Sequence, residues 1–317
     1  MLSDLVFIFY WWVLIFGLGV ICLPLTFFFF KKFFDQGYAL SKIIGILLVS
    51  YFVWLTGSLK ILPFFSETIW LTARLLTGSN FWLARRQRLD FKKLIKRRWQ
   101  IWLLEEGLFF GGLTFWAYIR GFQPSIHGLE KFMDFGFVNS ILRSRYFPPA
   151  DMWLAGKTIN YYYFGHLVSA VLTKFSGLDS AITYNLMMAT LAGLVLSAAF
   201  CLGGNLVNKK NILVGLYTAL LLTFGGNLHS FYWWLTHHNF TGYWYPDATR
   251  FIVEKFGASD NTIHEFPLYS FVVADLHGHL LNLPLVLLFL AVMIKIFFDL
   301  QVSLLLSGFV SLLLAVF

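Results

Sequence analysis

Long apolar runs separated by short polar ones set the pattern of this chain. Runs at about 5–30, 43–64, 66–84, 101–119, 160–176, 181–206, 211–227 and 280–300 are rich in Leu, Phe, Val and Ile. Several approach the ~20 residues an α-helix needs to cross a hydrocarbon layer of ~30 Å. A ninth, Val302 to Phe317, is short for a span, has no flanking charge and simply stops, as expected of a fragment of a longer protein. In lipid the backbone must satisfy its own hydrogen bonds, which selects helices. The expected fold class is all-α: a polytopic transmembrane helical protein of roughly 8–9 spans, one per run, with large external loops carrying amphipathic helices.

Composition supports this placement. Of 317 residues, 58% are hydrophobic, 20% aromatic and 13% charged, against roughly 25% charged in a soluble domain. The expected location is the cell membrane, as a multi-pass protein, with Phe and Trp facing lipid or forming interfacial belts. The N-terminus, MLSDLVFIFYWW, lacks a basic leader segment and a small-residue cleavage site, so it reads as a retained span. Cys22 and Cys201 lie inside apolar runs and read as small core residues.

The net charge of +8 is concentrated. Arg85, Arg86, Arg88, Lys92, Lys93, Lys96, Arg97 and Arg98 fall in one stretch. Interspersed Leu89, Phe91, Leu94 and Ile95 suggest an amphipathic helix on the inner surface, against anionic lipid and not nucleic acid. Glu105 and Glu106 are expected to pair with it. The next run then leads outward, placing 120–160 on the non-cytoplasmic side. Lys209 and Lys210 mark a cytoplasmic turn, so 228–279 returns to that side. This demands an odd number of crossings between 160 and 207, where two runs stand; one is expected to be half-inserted or re-entrant. Two regions follow: 1–99, spans plus the basic loop, and 100–317, a membrane core with external loops at about 120–160 and 228–279.

Candidate chemistry lies in those two loops. Glu130 and Asp134 are four apart and share one face if 127–142 is helical. A carboxylate beside an apolar surface suits a general base; the plain alternative is a solvated face with Lys131 as partner. Arg120, Arg143, Arg145 and Lys157 flank them and would hold either a lipid-linked phosphate or ordinary headgroups. Pro148-Pro149-Ala150-Asp151 forces an extended turn, and Gly156 permits close backbone approach. Asn160-Tyr161-Tyr162-Tyr163-Phe164-Gly165-His166 then enters a span, its tyrosines reading as an interfacial belt or a sugar pocket. In the second loop, Glu265-Phe266-Pro267 precedes Asp275-Leu276-His277-Gly278-His279. In an extended backbone Asp275, His277 and His279 point one way, as metal ligands would; substrate contact and plain interfacial residues are the other readings. The one cofactor candidate is a divalent metal ion. No Walker loop, dinucleotide fingerprint or HExxH motif is present.

The stretches GLEKFMDFGFVNSILRSRYFPPADMWLAGKTINYYYFGH and FPLYSFVVADLHGHLLNLPL resemble the two signature blocks of an uncharacterised archaeal and bacterial membrane family named for its Tyr-Tyr-Tyr motif. That family in turn resembles, remotely, the GT-C glycosyltransferases of the protein mannosyltransferase and aminoarabinose transferase types. The second resemblance implies an acidic motif at Glu130, with Asp134 beside it, in an external loop leading into an aromatic-headed span. It departs from that pattern in having three apolar runs before the loop and Glu-x-x-x-Asp in place of Asp-Glu. It implies an inverting membrane glycosyltransferase with a polyprenyl-phosphate-linked sugar as donor, a glycan, lipid or protein hydroxyl as acceptor, and membrane lipids as surroundings. A transporter or channel, and a non-catalytic scaffold for envelope polysaccharide assembly, are the alternatives.

Overall fold

Helices account for the regular structure throughout the residues that the computed structural model describes, 2–207, 211–250, 263–298, 306 and 308–312. In chain order they are α1 (Leu2–Phe29), α2 (Ser41–Ser58), α3 (Ser66–Arg86), α4 (Phe91–Phe122), α5 (Lys131–Arg143), α6 (Phe164–Ser176), α7 (Ser180–Leu206), α8 (Ile212–Phe224), α9 (His229–His237), α10 (Pro267–Val273) and α11 (Gly278–Phe298). Local chemistry sets several boundaries. Asp90, Asp179 and Asn211 cap α4, α7 and α8 by accepting from the backbone N–H of Lys93, Ala181 and Val214. Gly177, at φ 70°, closes α6 in the left-handed conformation. Pro267 opens α10, where its missing N–H costs nothing.

Among the described residues, four helices are long and apolar enough to cross a membrane: Asp4–Phe29, Tyr38–Ser58, Ser180–Leu206 and Gly278–Phe297. The pair Ile212–Phe224 and His229–His237, bent by 69°, makes a fifth if it is one broken span. The protein is therefore a multi-pass helical membrane protein. By length and composition the described residues do not reach eight or nine spans. α4 carries Lys and Arg in its first turns and two interior glutamates, and α6 has only 13 residues. The expectations placed on Lys209, Lys210 and most of 302–317 lie outside the described residues.

α7 is the axis of the bundle: its apolar window is entirely buried by protein. It packs on α4, α8, α11 and α6. A Cβ on Gly112 would lie 2.9 Å from the Gly193 Cα, and one on Gly193 would lie 2.6 Å from the Phe109 carbonyl oxygen. Small residues thus let the α4 and α7 backbones touch, the usual route to tight helix pairs in lipid. One apolar core extends from Ile8 on α1 to Phe309. Trp11 Nε1 donates to Thr190 Oγ1 across it at 2.7 Å.

The contacts also order the ends. α6 begins where His166 meets Asp134 on α5 and ends where Thr173 meets Thr183 in the first turn of α7. Both ends of α6 therefore sit at the α7 N-terminal end, and α7 alone runs from there to the opposite end. This arrangement leaves residues 120–166 and 263–279 at the same end of the bundle.

The basic stretch differs from expectation. It is no separate surface helix: Arg85 and Arg86 end α3, and Lys92 to Arg98 open α4, which continues unbroken to Phe122. Nor does Glu106 pair with it. Its carboxylate accepts from Trp12 Nε1, Tyr38 OH and Lys42 Nζ at 2.7, 2.9 and 2.5 Å. Glu105 turns into the core and is 0% exposed. A helix that begins in the basic loop projects its interior glutamates sideways onto α1 and α2, away from its own first turn.

Replacing Gly193 by Val should force α4 and α7 apart and lower stability by about 1–3 kcal/mol. Gly111→Ala, with nothing within 4 Å of the added carbon, should change it little. Thermal unfolding of the two variants in detergent checks this.

Candidate functional site at the α7 N-terminal end

The first turn of α5 organises the site. Gly128 and Leu129 both adopt positive φ, at 77° and 49°, and deliver Glu130 to the N-cap position of α5. There the Glu130 N–H donates to Asp275 Oδ2 at 3.3 Å. The next residue, Lys131, is buried and places Nζ 3.0 Å from Asp275 Oδ1. One turn on, Asp134 accepts from His166 Nε2 at 3.0 Å, with both side chains 0% exposed. Residues from α5, α6 and the α10–α11 turn are thereby locked together.

Glu130 and Asp134 do not share a face as a helix over 127–142 would make them. The helix starts only at Lys131, so the Glu130 side chain leaves before helical spacing applies. It stays half exposed, at 51%, and bonds His277 Nδ1. A carboxylate only accepts, so Nδ1 carries the proton and Nε2 faces the tyrosine hydroxyls. Tyr161 OH and Tyr162 OH lie 3.1 and 3.2 Å from His277 Nε2 and hydrogen-bond each other. Burial, then the bond to Tyr162, pushes the Tyr161 phenol upward, so it keeps its proton. Tyr163 turns the other way and accepts from Trp54 Nε1 at 3.1 Å. The tyrosine triplet thus divides, two to the cluster and one to packing against α2.

A further pair completes this end. His279 Nε2 is 2.9 Å from Glu265 Oε2, and Ser270 Oγ donates to the same oxygen at 2.7 Å. Burial raises the Glu265 carboxyl, but bonds from His279 and Ser270 outweigh it and hold it below its ordinary range. Asp275 is moved the opposite way: burial pushes it up despite Lys131.

Asp275, His277 and His279 do not converge as metal ligands would. Ala274 ends α10 at φ 60° and α11 starts at Gly278, so the backbone between them turns instead of extending. Asp275 goes to Lys131, His277 to Glu130 and His279 to Glu265. Among the described residues, the group whose ligand atoms lie mutually within 4.8 Å is Asp35, Glu105 and Cys201, near the other end of the bundle.

The remaining candidates scatter. Arg120 is buried, its Nε and Nη2 donating to Asn185 Oδ1 at 3.0 and 2.8 Å, which ties α4 to α7. Arg143, Arg145, Lys157 and Asn160 are exposed. The Arg145 guanidinium lies 5.8 and 5.6 Å from the Phe65 and Tyr146 ring centres. Asp151 caps its own turn by accepting from Leu154 and Trp153 N–H, which lowers its carboxyl.

Beside the polar cluster lies an apolar cavity of about 280 Å³. Its walls come from α2, α6, α7 and α11, among them Ile43, Val168, Met187 and Leu285. Tyr162, Gly278 and His279 also line it, so cavity and cluster share a wall. Sequence reasoning missed Lys131 as the partner of Asp275, and Ser270 and Tyr184 as anchors. Tyr184 OH accepts from Leu276 N–H at 3.2 Å from the core of α7. No local signal marks the Lys131 and Tyr184 contacts, which span about ninety residues or more; Ser270 is only five residues from Glu265.

Fold and site together define a helical integral membrane protein whose polar cluster, half buried, borders an apolar cavity. Residues 48–317 match the family model described as "Uncharacterized membrane protein (DUF2298)", and the chain belongs to that family. No curated protein matches it. No solved structure matches it either.

Asp134→Ala or His166→Ala alone should cost about 3–5 kcal/mol, since each strands a buried polar partner. The apolar double replacement Asp134→Leu/His166→Phe should cost less than the sum. Unfolding of all three in detergent measures the coupling.

Proposed function

We propose that this protein is a membrane glycosyltransferase that moves a sugar from a polyprenyl-phosphate donor to an acceptor hydroxyl, with inversion, at the non-cytoplasmic face. The observation that supports it is the shared wall: Tyr162, Gly278 and His279 line an apolar cavity and stand beside the exposed carboxylate of Glu130. A lipid-linked substrate needs that combination, an apolar slot for its chain and polar groups where its head emerges.

In this reading Glu130 is the general base. His277, hydrogen-bonded at Nδ1, holds the carboxylate in place, and the Tyr161 and Tyr162 hydroxyls hold the imidazole. The acceptor oxygen attacks the anomeric carbon from the side opposite the phosphate. The sugar–phosphate C–O bond breaks, its electron pair leaves with the lipid phosphate, and the acceptor proton passes to Glu130. Lys157, exposed on the loop that leads to the tyrosines, is the cation assigned to the departing phosphate; Arg143 and Arg145, at and beyond the far end of α5, about 20 Å of helix rise from Glu130, are left to lipid headgroups. Asp134, sealed against His166, positions α5 and does not touch substrate. Residues 100–317 carry this core, and 1–99 supply flanking spans and the second wall of the cavity through α2. The mechanism uses no ion at Asp275, His277 and His279, because each is committed to a different partner.

The purified protein should transfer sugar from lipid-phosphate donors. Glu130→Gln should lower the rate about 10²–10⁴-fold with unchanged thermal stability. Val168→Trp, which fills the cavity, should raise KM for long-chain donors more than for short ones. Full activity in Glu130→Gln removes the proposed base. Sugar or ion flux into liposomes, independent of Glu130 and without transfer, would put transport in its place.

A further inference from the structure

The opposite end of α4 and α7 holds a second polar cluster that the transfer chemistry does not use. Asp35, on the connection between α1 and α2, Glu105 on α4 and Cys201 on α7 are each 0% exposed. One ligand atom from each lies within 4.8 Å of the other two. Asp35 Oδ2 and both oxygens of Glu105 are buried without a hydrogen-bond partner. Three orphaned carboxylate oxygens inside a membrane protein are costly unless something positive sits among them.

The surrounding groups do not supply that charge in full. Lys42 is committed to Glu106 at 2.5 Å, and Arg98 gives Nη1 to the Phe34 carbonyl. Asn205 offers only its amide N–H to Asp35 Oδ1, at 3.4 Å, because its own oxygen accepts from Phe34 N–H. Counting Asp35, Glu105 and Glu106 against Lys42 and Arg98 leaves one negative charge.

The geometry points to a structural divalent-metal site formed by Asp35, Glu105 and Cys201. A thiolate beside two carboxylates selects a zinc-like ion over magnesium or calcium, which take oxygen ligands. The site joins the α1–α2 connection, α4 and α7 at one point. Along α7, Cys201 stands 17 residues beyond Tyr184, about 25 Å of helix rise from the polar cluster at the other end. The ion would therefore brace the bundle and take no part in transfer.

The chain, purified in detergent from cells grown with ordinary trace metals, should hold about one zinc-like ion, retained through dialysis against a chelator because all three ligands are fully buried. Protein produced with cobalt should show a thiolate-to-cobalt absorption band. Cys201→Ala should abolish the band, and Glu105→Gln should cut bound metal about tenfold or more. Monodisperse wild-type protein holding neither zinc nor cobalt overturns the site, as does bound metal indifferent to both variants. An infrared band of a protonated carboxyl, lost in Glu105→Gln, would also overturn it, by assigning a shared proton in the ion's place. If either variant fails to fold, the metal content and cobalt band of the wild type still decide.

Discussion

Charge cannot stand alone in an apolar interior, and this fold is arranged around that constraint. Each buried or half-buried ionised group at the α7 N-terminal end is answered by a group from a distant segment: Lys131 by Asp275, Asp134 by His166, Glu130 by His277. The desolvation cost of any one member is several kcal/mol, so the segments stay together or their charges go unmet. Hydrophobic burial against lipid does not distinguish one helix arrangement from another, because lipid tails are as apolar as Leu. Polar pairing and close backbone contact do distinguish them. Gly112 against Gly193 supplies the second, and the cross-segment pairs supply the first.

The same constraint explains why the site is half open. Asp134 is sealed and serves position. Glu130, one turn earlier, escapes the helix and keeps half its side chain exposed. Two carboxylates four residues apart thus occupy different environments, the condition under which paired acids take different roles. The apolar cavity next to Tyr162 and His279 extends this division: polar side chains on one side of a wall, apolar ones on the other.

α4 and α7 connect the two ends. Their N- and C-terminal halves carry separate polar clusters, Arg120 with Asn185 and Tyr184 at one end, Glu105 and Cys201 near the other. Between them the helices touch through glycine. α7 of this pair also packs on α5, α6 and α11.

The hydrophobic pattern by itself determined a great deal. It placed nearly every helix within a few residues, because a helix in lipid satisfies its backbone locally and its length follows from the membrane. It also showed which loops carry the polar residues. What it could not determine was pairing. Helical spacing put Glu130 and Asp134 on one face, yet the helix begins one residue later, at Lys131, because Gly128 and Leu129 turn the chain with positive φ. Extended spacing aligned Asp275, His277 and His279, yet a left-handed Ala274 and the start of α11 split them among three partners. Glu105 looked like a neighbour for the basic loop and instead faces Asp35 and Cys201. Local geometry is written in neighbouring residues. Which charge answers which, across more than a hundred positions, is settled only when helices pack and each buried group must find its counterpart.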